Sequence, residues 1–128
     1  MSAAERVTGI GGVFFRASDP DSLTRWYEEH LGVTPPPATY DERSWEQQAG
    51  PTVFAAFPAE SEHFQLPQQQ WAINFRVRDL DAMVTQLRAA GISVDVHAEV
   101  YPNGRFADLL DPEGNPVQLW EPAGSDSV

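Results

Sequence analysis

The sequence predicts an α+β domain built from two tandem βαβββ units. Three observations carry that expectation. Phe15-Arg16-Ala17-Ser18-Asp19-Pro20-Asp21 is answered by Phe75-Arg76-Val77-Arg78-Asp79-Leu80-Asp81, with Phe, Arg, Asp and Asp repeated at an offset of 60. Gly50, Val53 and Pro58 return as Gly114, Val117 and Pro122 at an offset of 64. Each copy also opens with a strand-forming run that ends in a helix cap. A period near sixty residues marks one duplicated supersecondary unit rather than a short solenoid repeat.

In the first copy, residues 10–17 are rich in strand formers. Asp19 before Pro20 is a helix N-cap followed by proline at the first helical position. Leu23, Trp26, Tyr27 and Leu31 follow at helical spacing, which places Trp26 and Tyr27 in the core, and Gly32 ends the helix. Weaker strand signals cover 39–48 and 52–57, after the interruption at Pro35-Pro36-Pro37. In the second copy 71–77 is a strand and Asp79 a cap, Leu80, Met83, Val84 and Leu87 form a buried stripe, and Gly91 is the stop. Strands are expected over 93–100, 105–110 and 116–120, the last two joined by the turn Asp111-Pro112-Glu113-Gly114-Asn115. The chain thus reads as a single domain, 1–128. Module 9–58 and module 71–122 are joined by the polar linker 59–70, and residues 123–128 form a frayed tail.

Composition removes several functions. A length of 128 residues with 41% apolar residues supports one real core. No apolar run approaches the roughly 18 residues of a membrane span, and residues 1–8 lack the pattern of a secretory signal, so a cytoplasmic location is expected. There is no cysteine, which excludes disulfides, thiolate metal sites and thiol catalysis. All eight basic residues are arginine, so an internal Schiff base is impossible. A net charge of −11 argues against nucleic acid and anionic membranes as partners.

The strand into Asp19-Pro20, Trp26-Tyr27, Leu31-Gly32-Val33, Phe75-x-Val77-x-Asp79-Leu80-Asp81, Leu87-x-x-x-Gly91 and Asp111-Pro112-Glu113-Gly114-Asn115 together resemble the vicinal oxygen chelate superfamily, the glyoxalase/bleomycin-resistance/dioxygenase group. The resemblance covers about residues 9–122. It implies two βαβββ modules in a curled mixed sheet around a cavity, often within a homodimer. It also implies a divalent metal held by His, Gln or Glu at four strand positions. Transferred residue by residue, those positions are Gly12, Phe54, Ala72 and Gln118. Three of them carry no donor atom, and one neutral amide cannot repay the dehydration of a hard cation. No metal and no other cofactor is therefore expected. Gln118 reads as a hydrogen-bonded polar residue at the cavity end of its strand rather than as a ligand. His30, His63 and His97 lack the spacing of a shared site and read as lone surface or hydrogen-bonded residues.

If those four positions face the cavity, as the resemblance implies, strand alternation gives its lining. Phe14, Phe54 and Trp120 form apolar walls, and Arg16, Asn74, Arg76 and Gln118 supply polar groups. Mostly apolar walls with a few placed polar groups suit a small organic ligand. Arg16 and Arg76 either fork onto an anion or pair with acids such as Asp19 and Asp79. The acidic surface favours a cationic ligand and the arginines an anionic one, so the charge of the ligand stays open. Glu46, Asp108 and Glu121 are possible general bases with nothing to select among them, although alternation turns Glu121 away from Gln118. The expected function is metal-independent binding of an organic molecule, to sequester or sense it. The alternatives are a metal-dependent lyase, isomerase or dioxygenase and a metal-free enzyme that uses the arginines as electrophiles.

Overall fold

The computed structural model describes residues 4–127. Residues 1–3 of the N-terminal stretch and Val128 of the tail lie outside the described residues. Helix α1 spans Pro20–Leu31. It is followed by β1 (Ile73–Arg76), α2 (Leu80–Ala89), β2 (Asp95–Val96), β3 (Gly104–Leu110) and β4 (Pro116–Pro122). The strands make one curled, unclosed sheet in the order β1-β4-β3-β2. β1 runs parallel to β4, and the other neighbours are antiparallel.

Both helices begin as their sequences dictate. The Asp19 carboxylate accepts from Ser22 N–H at 3.1 Å, and the Asp79 carboxylate accepts from Ala82 N–H at 3.0 Å. Each satisfies one of the N-terminal donors that a helix cannot pair internally. Gly32 ends α1 in the left-handed region at φ 73°, where a Cβ would be strained.

One face of the sheet is the core. Ala107, Leu109, Val117 and Leu119 meet Leu80, Val84 and Leu87 of α2 in one buried cluster, with Val94 at its edge. Fully burying an aliphatic side chain contributes about 1.5–3 kcal/mol. These residues alternate along β3 and β4, so every second side chain points to the opposite face. Trp26, Tyr27 and Leu31 of α1 pack against the same core while only partly buried.

The first unit differs from the expectation in one respect. Among the described residues, 10–17, 39–48 and 52–57 are extended or turned without ladder pairing. A strand is held by its neighbour's hydrogen bonds, and these segments meet no paired edge in the single chain. Phe14 is 95% and Phe54 83% exposed. The prolines at 35–37 and Pro51 further weaken strand formation there. The middle-strand signal at 93–100 narrows to Asp95–Val96, extended by one bond from His97 N–H to the Phe106 carbonyl. The tail is more ordered than expected: Gly124–Asp126 is a 3-10 turn, anchored by Ala123 N–H on the Asn103 carbonyl at 3.0 Å.

The turn between β3 and β4 ties α1 to the sheet. Asp111 is buried and accepts from Glu113 N–H, Asn115 N–H, the Asn115 amide and the Tyr27 hydroxyl, the last at 2.7 Å. Burial first, and then the Asp111 carboxylate, push the Tyr27 phenol far above its ordinary range. Glu113 accepts from Ser18 and Asp19 N–H at 2.6 and 2.9 Å, just ahead of α1. The Asp-Pro-Glu-Gly-Asn turn is therefore a bracket between the two halves of the chain. No helix among the described residues is long and apolar enough to cross a membrane.

Candidate functional site

The face of the sheet opposite α2 carries two cross-strand rows. Residues in register project side by side. Asn74, Gln118, Asp108 and Asp95 form the first row, across β1, β4, β3 and β2. Arg76, Trp120 and Phe106 form the second, and the His97 backbone bond to Phe106 extends it.

The first row is joined by hydrogen bonds. Asn74 Nδ2 donates to Gln118 Oε1 at 2.8 Å, and Gln118 Nε2 donates to Asp108 Oδ1 at 3.2 Å. The other carboxylate oxygen, Asp108 Oδ2, is 2.7 Å from His97 Nε2. An amide–amide–carboxylate–imidazole chain thus runs across β1, β4 and β3 to His97, just past β2. The His97 and Asp108 side chains are 30% and 22% exposed, so the chain is reachable from solvent. A hollow of about 730 Å³ opens beside Asp108, lined also by Trp26, Gln65, Ser93, Asp95 and Asp111. Of the four residues in the hydrogen-bonded chain, only Asp108 lines it.

The second row is largely aromatic. Phe106 and Trp120 lie with ring planes 4° apart and centroids 6.2 Å apart, and Tyr101 meets Phe106 edge-on at 5.8 Å. Trp120 is only 3% exposed. Its indole N–H donates to the Asn103 carbonyl at 2.9 Å, beneath the turn that leads into β3. A side chain on Gly104 would collide with this indole and with the Glu121 carbonyl. Trp120 is thus packed in place and presents almost no open surface.

Arg76 forms no ion pair among the described residues. Its guanidinium donates to the carbonyls of Pro51 and Gln48 at 2.7 and 2.8 Å. Gly50 permits this approach, since a Cβ there would lie 2.8 Å from Arg76 Nη1. Asp79 remains a helix cap. Glu121 points to the helix side, as alternation requires, and accepts from Leu80 N–H at 2.8 Å.

The residues expected from sequence are therefore distributed unevenly. Asn74, Arg76, Gln118 and Trp120 share one face of the sheet. Phe14 lies over a separate shallow hollow beside Val13, Pro20, Leu23 and Thr24, and Phe54 lines neither hollow. Arg16 has no hydrogen-bond or ion-pair partner among the described residues and is exposed.

Sequence reasoning set His97 aside and left Asp108 unranked among three acids. The turn held a usable signal. Residues equidistant from Glu113 face each other across the hairpin, so Asp108 stands opposite Gln118. The four metal positions that the family pattern implies do not fit a divalent ion. Gly12, Phe54 and Ala72 offer no donor atom, and the Gln118 amide is engaged by Asn74 and Asp108. Among the described residues no three His, Asp or Glu side chains are grouped for a metal.

A curled mixed sheet with α2 behind it, an open polar face and a bracket to α1 define a glyoxalase-like domain. The family model of the Glyoxalase/Bleomycin resistance protein/Dioxygenase superfamily matches residues 9–119, and the chain belongs to that superfamily. The protein is 43% identical over 63 residues to an anthracycline biosynthesis protein, DauV, of Streptomyces sp. (strain C5). That match covers 45% of this chain and 23% of the relative, so the chain spans less than a quarter of the relative's length. Among solved structures it is similar to TnmS3, an antibiotic binding protein from Streptomyces sp. CB03234. The TM-score is 0.59 at 20% identity, covering 94% of this chain and all of the other. A glyoxalase/bleomycin resistance protein from Streptomyces sp. CB03234 shares 34% identity over 39% of this chain and 43% of its own, with a TM-score of 0.36.

Proposed function

We propose that the protein binds a small organic molecule without a metal, to sequester or sense it, and that its ligand is a polycyclic aromatic compound. One observation carries the reading. The face of the sheet away from α2 sets the partly exposed Phe106 ring, backed by the buried Trp120, beside a hydrogen-bonded polar row. Such a face gives a flat apolar ligand stacking area and a few fixed polar contacts. The names of the relatives, one in anthracycline biosynthesis and one an antibiotic binding protein, support the same ligand class.

On this reading Asn74 and Gln118 orient the ligand, Phe106 stacks on it, and Trp120 stiffens the floor. Arg76 draws the 48–51 segment toward the site. Phe14, Arg16 and Phe54, in module 9–58, join the lining when the extended segments of that module gain a partner. That partner is a second copy of the chain in a homodimer, which would cover the exposed Val13, Phe14, Val53 and Phe54. The test is thermal stabilisation across a panel of polycyclic aromatic and non-aromatic molecules with chelator present. A ligand at 100 times its Kd adds about 2.7 kcal/mol to the native state, a shift easily read in a melt. Stabilisation by aromatic members in chelator supports the proposal. No shift with any member, or a shift that appears only on adding a divalent ion, overturns it.

A further inference from the structure

We propose that His97 and Asp108 form a proton-accepting pair that takes the proton of a hydroxyl group on the bound aromatic ligand. The inference deepens the small-molecule reading and rests on it.

It begins from the direction of the hydrogen-bonded chain. A carboxylate only accepts. Because Asp108 stands in the middle, the polarity of the chain is fixed outward from it on both sides. Gln118 must turn its N–H toward Asp108 Oδ1, which leaves its carbonyl to accept from Asn74. His97 must carry its proton on Nε2, the atom 2.7 Å from Asp108 Oδ2. The neutral ring then has its lone pair on Nδ1, and Nδ1 has no partner among the described residues.

A basic nitrogen with a free lone pair, backed by a carboxylate, is the arrangement of a general base. It stands next to Phe106, with ring centroids 6.2 Å apart, so a ring lying over Phe106 would bring its substituents near His97. Asp108 is in contact with the imidazole at 2.7 Å, and Asp95 lies two residues back in the chain. Arg76 lies at the far end of the second row, held by the carbonyls of residues 48 and 51. The step is a simple transfer: the ligand O–H bond breaks, a bond from the proton to His97 Nδ1 forms, and a phenolate remains beside an imidazolium paired with Asp108. No oxidant, reductant or metal enters. The ligand class is thereby narrowed to aromatics that bear an acidic hydroxyl.

The test uses 2-hydroxyanthraquinone and hydroxyl-free anthraquinone as probes, at about pH 7, where an ordinary imidazole is mostly neutral and the free hydroxyl probe mostly protonated. Binding is read by quenching of tryptophan fluorescence and protonation by absorbance. The wild-type protein should bind both probes and turn only the hydroxyl probe to its red-shifted phenolate form. His97→Gln should abolish the red shift and weaken the hydroxyl probe about tenfold, with the hydroxyl-free probe little changed, as the loss of one charge-assisted hydrogen bond implies. Asp108→Asn keeps the shape. It removes the charge that pairs with the imidazolium and frees the direction of the amide chain, so the red shift should weaken. A hydroxyl probe bound without a red shift, or a shift that survives His97→Gln, overturns the inference while leaving the binding reading intact. Failure to bind either probe overturns the binding reading, and the inference falls with it.

Discussion

Tyr27→Phe removes one hydroxyl and tests how the two halves are joined. The lost bond runs 2.7 Å from the Tyr27 hydroxyl to Asp111 Oδ2, across 84 residues of sequence. Hydrogen bonds to charged groups are worth about 1.5–3 kcal/mol. Asp111 keeps three other donors, from Glu113 N–H, Asn115 N–H and the Asn115 amide, so the loss belongs at the low end, about 1.5 kcal/mol. For a domain of this size that is a fall in Tm of roughly 5–8 °C. Urea melts followed by circular dichroism should show a lower midpoint with an unchanged slope. A second signature follows from linkage. The folded pKa of Tyr27 is raised above its ordinary value of 10.0. Its contribution is therefore complete below about pH 10 and is lost as pH rises further, because the unfolded phenol ionises first. The gap between wild type and Tyr27→Phe should narrow above about pH 10. Equal midpoints at neutral pH, or a gap that widens in alkali, would refute the bracket.

Trp120→Ala should destabilise the fold by about 3–5 kcal/mol in denaturant melts, as expected for emptying a packed aromatic site; a loss below about 1 kcal/mol would mean the indole is not packed under the Asn103 turn. Gly104→Ala should be far worse than Gly114→Ala in the same melts. Both glycines have positive φ, but only at Gly104 would the new Cβ strike the Glu121 carbonyl and the Trp120 indole; equal losses would contradict this. Glu121→Gln weakens the contact with Leu80 N–H at the start of α2 and should cost roughly 0.5–1 kcal/mol, less at high salt. No loss at low salt would argue against that contact.

The second half of the fold was legible because its signals agree. Strand alternation, the caps at Asp79 and Gly91 and the turn at 111–115 all point the same way, and the core face emerges as Ile73, Phe75, Val117 and Leu119. The first half was less so. Its caps and helix are local and hold, but strand pairing depends on a partner that a local pattern cannot supply, and Phe14 and Phe54 stay exposed. In the site, alternation placed Asn74, Arg76, Gln118 and Trp120 on one face. It could not foresee that Trp120 would be sealed by the 101–104 turn, or that Arg76 would bind backbone carbonyls, because both depend on loop paths. His97 was set aside and Asp108 left unranked because a residue type alone does not reveal a cross-strand neighbour, although symmetry about Glu113 would have paired Asp108 with Gln118.

The central claim is ligand binding that needs no metal, and equilibrium titration tests it most directly. Protein stripped with EDTA and then dialysed is titrated with 2-hydroxyanthraquinone by tryptophan quenching, with and without added zinc, nickel or iron(II). The account predicts saturable binding with the same Kd in every arm. Binding that is absent from the stripped protein and restored by a stoichiometric divalent ion would contradict it.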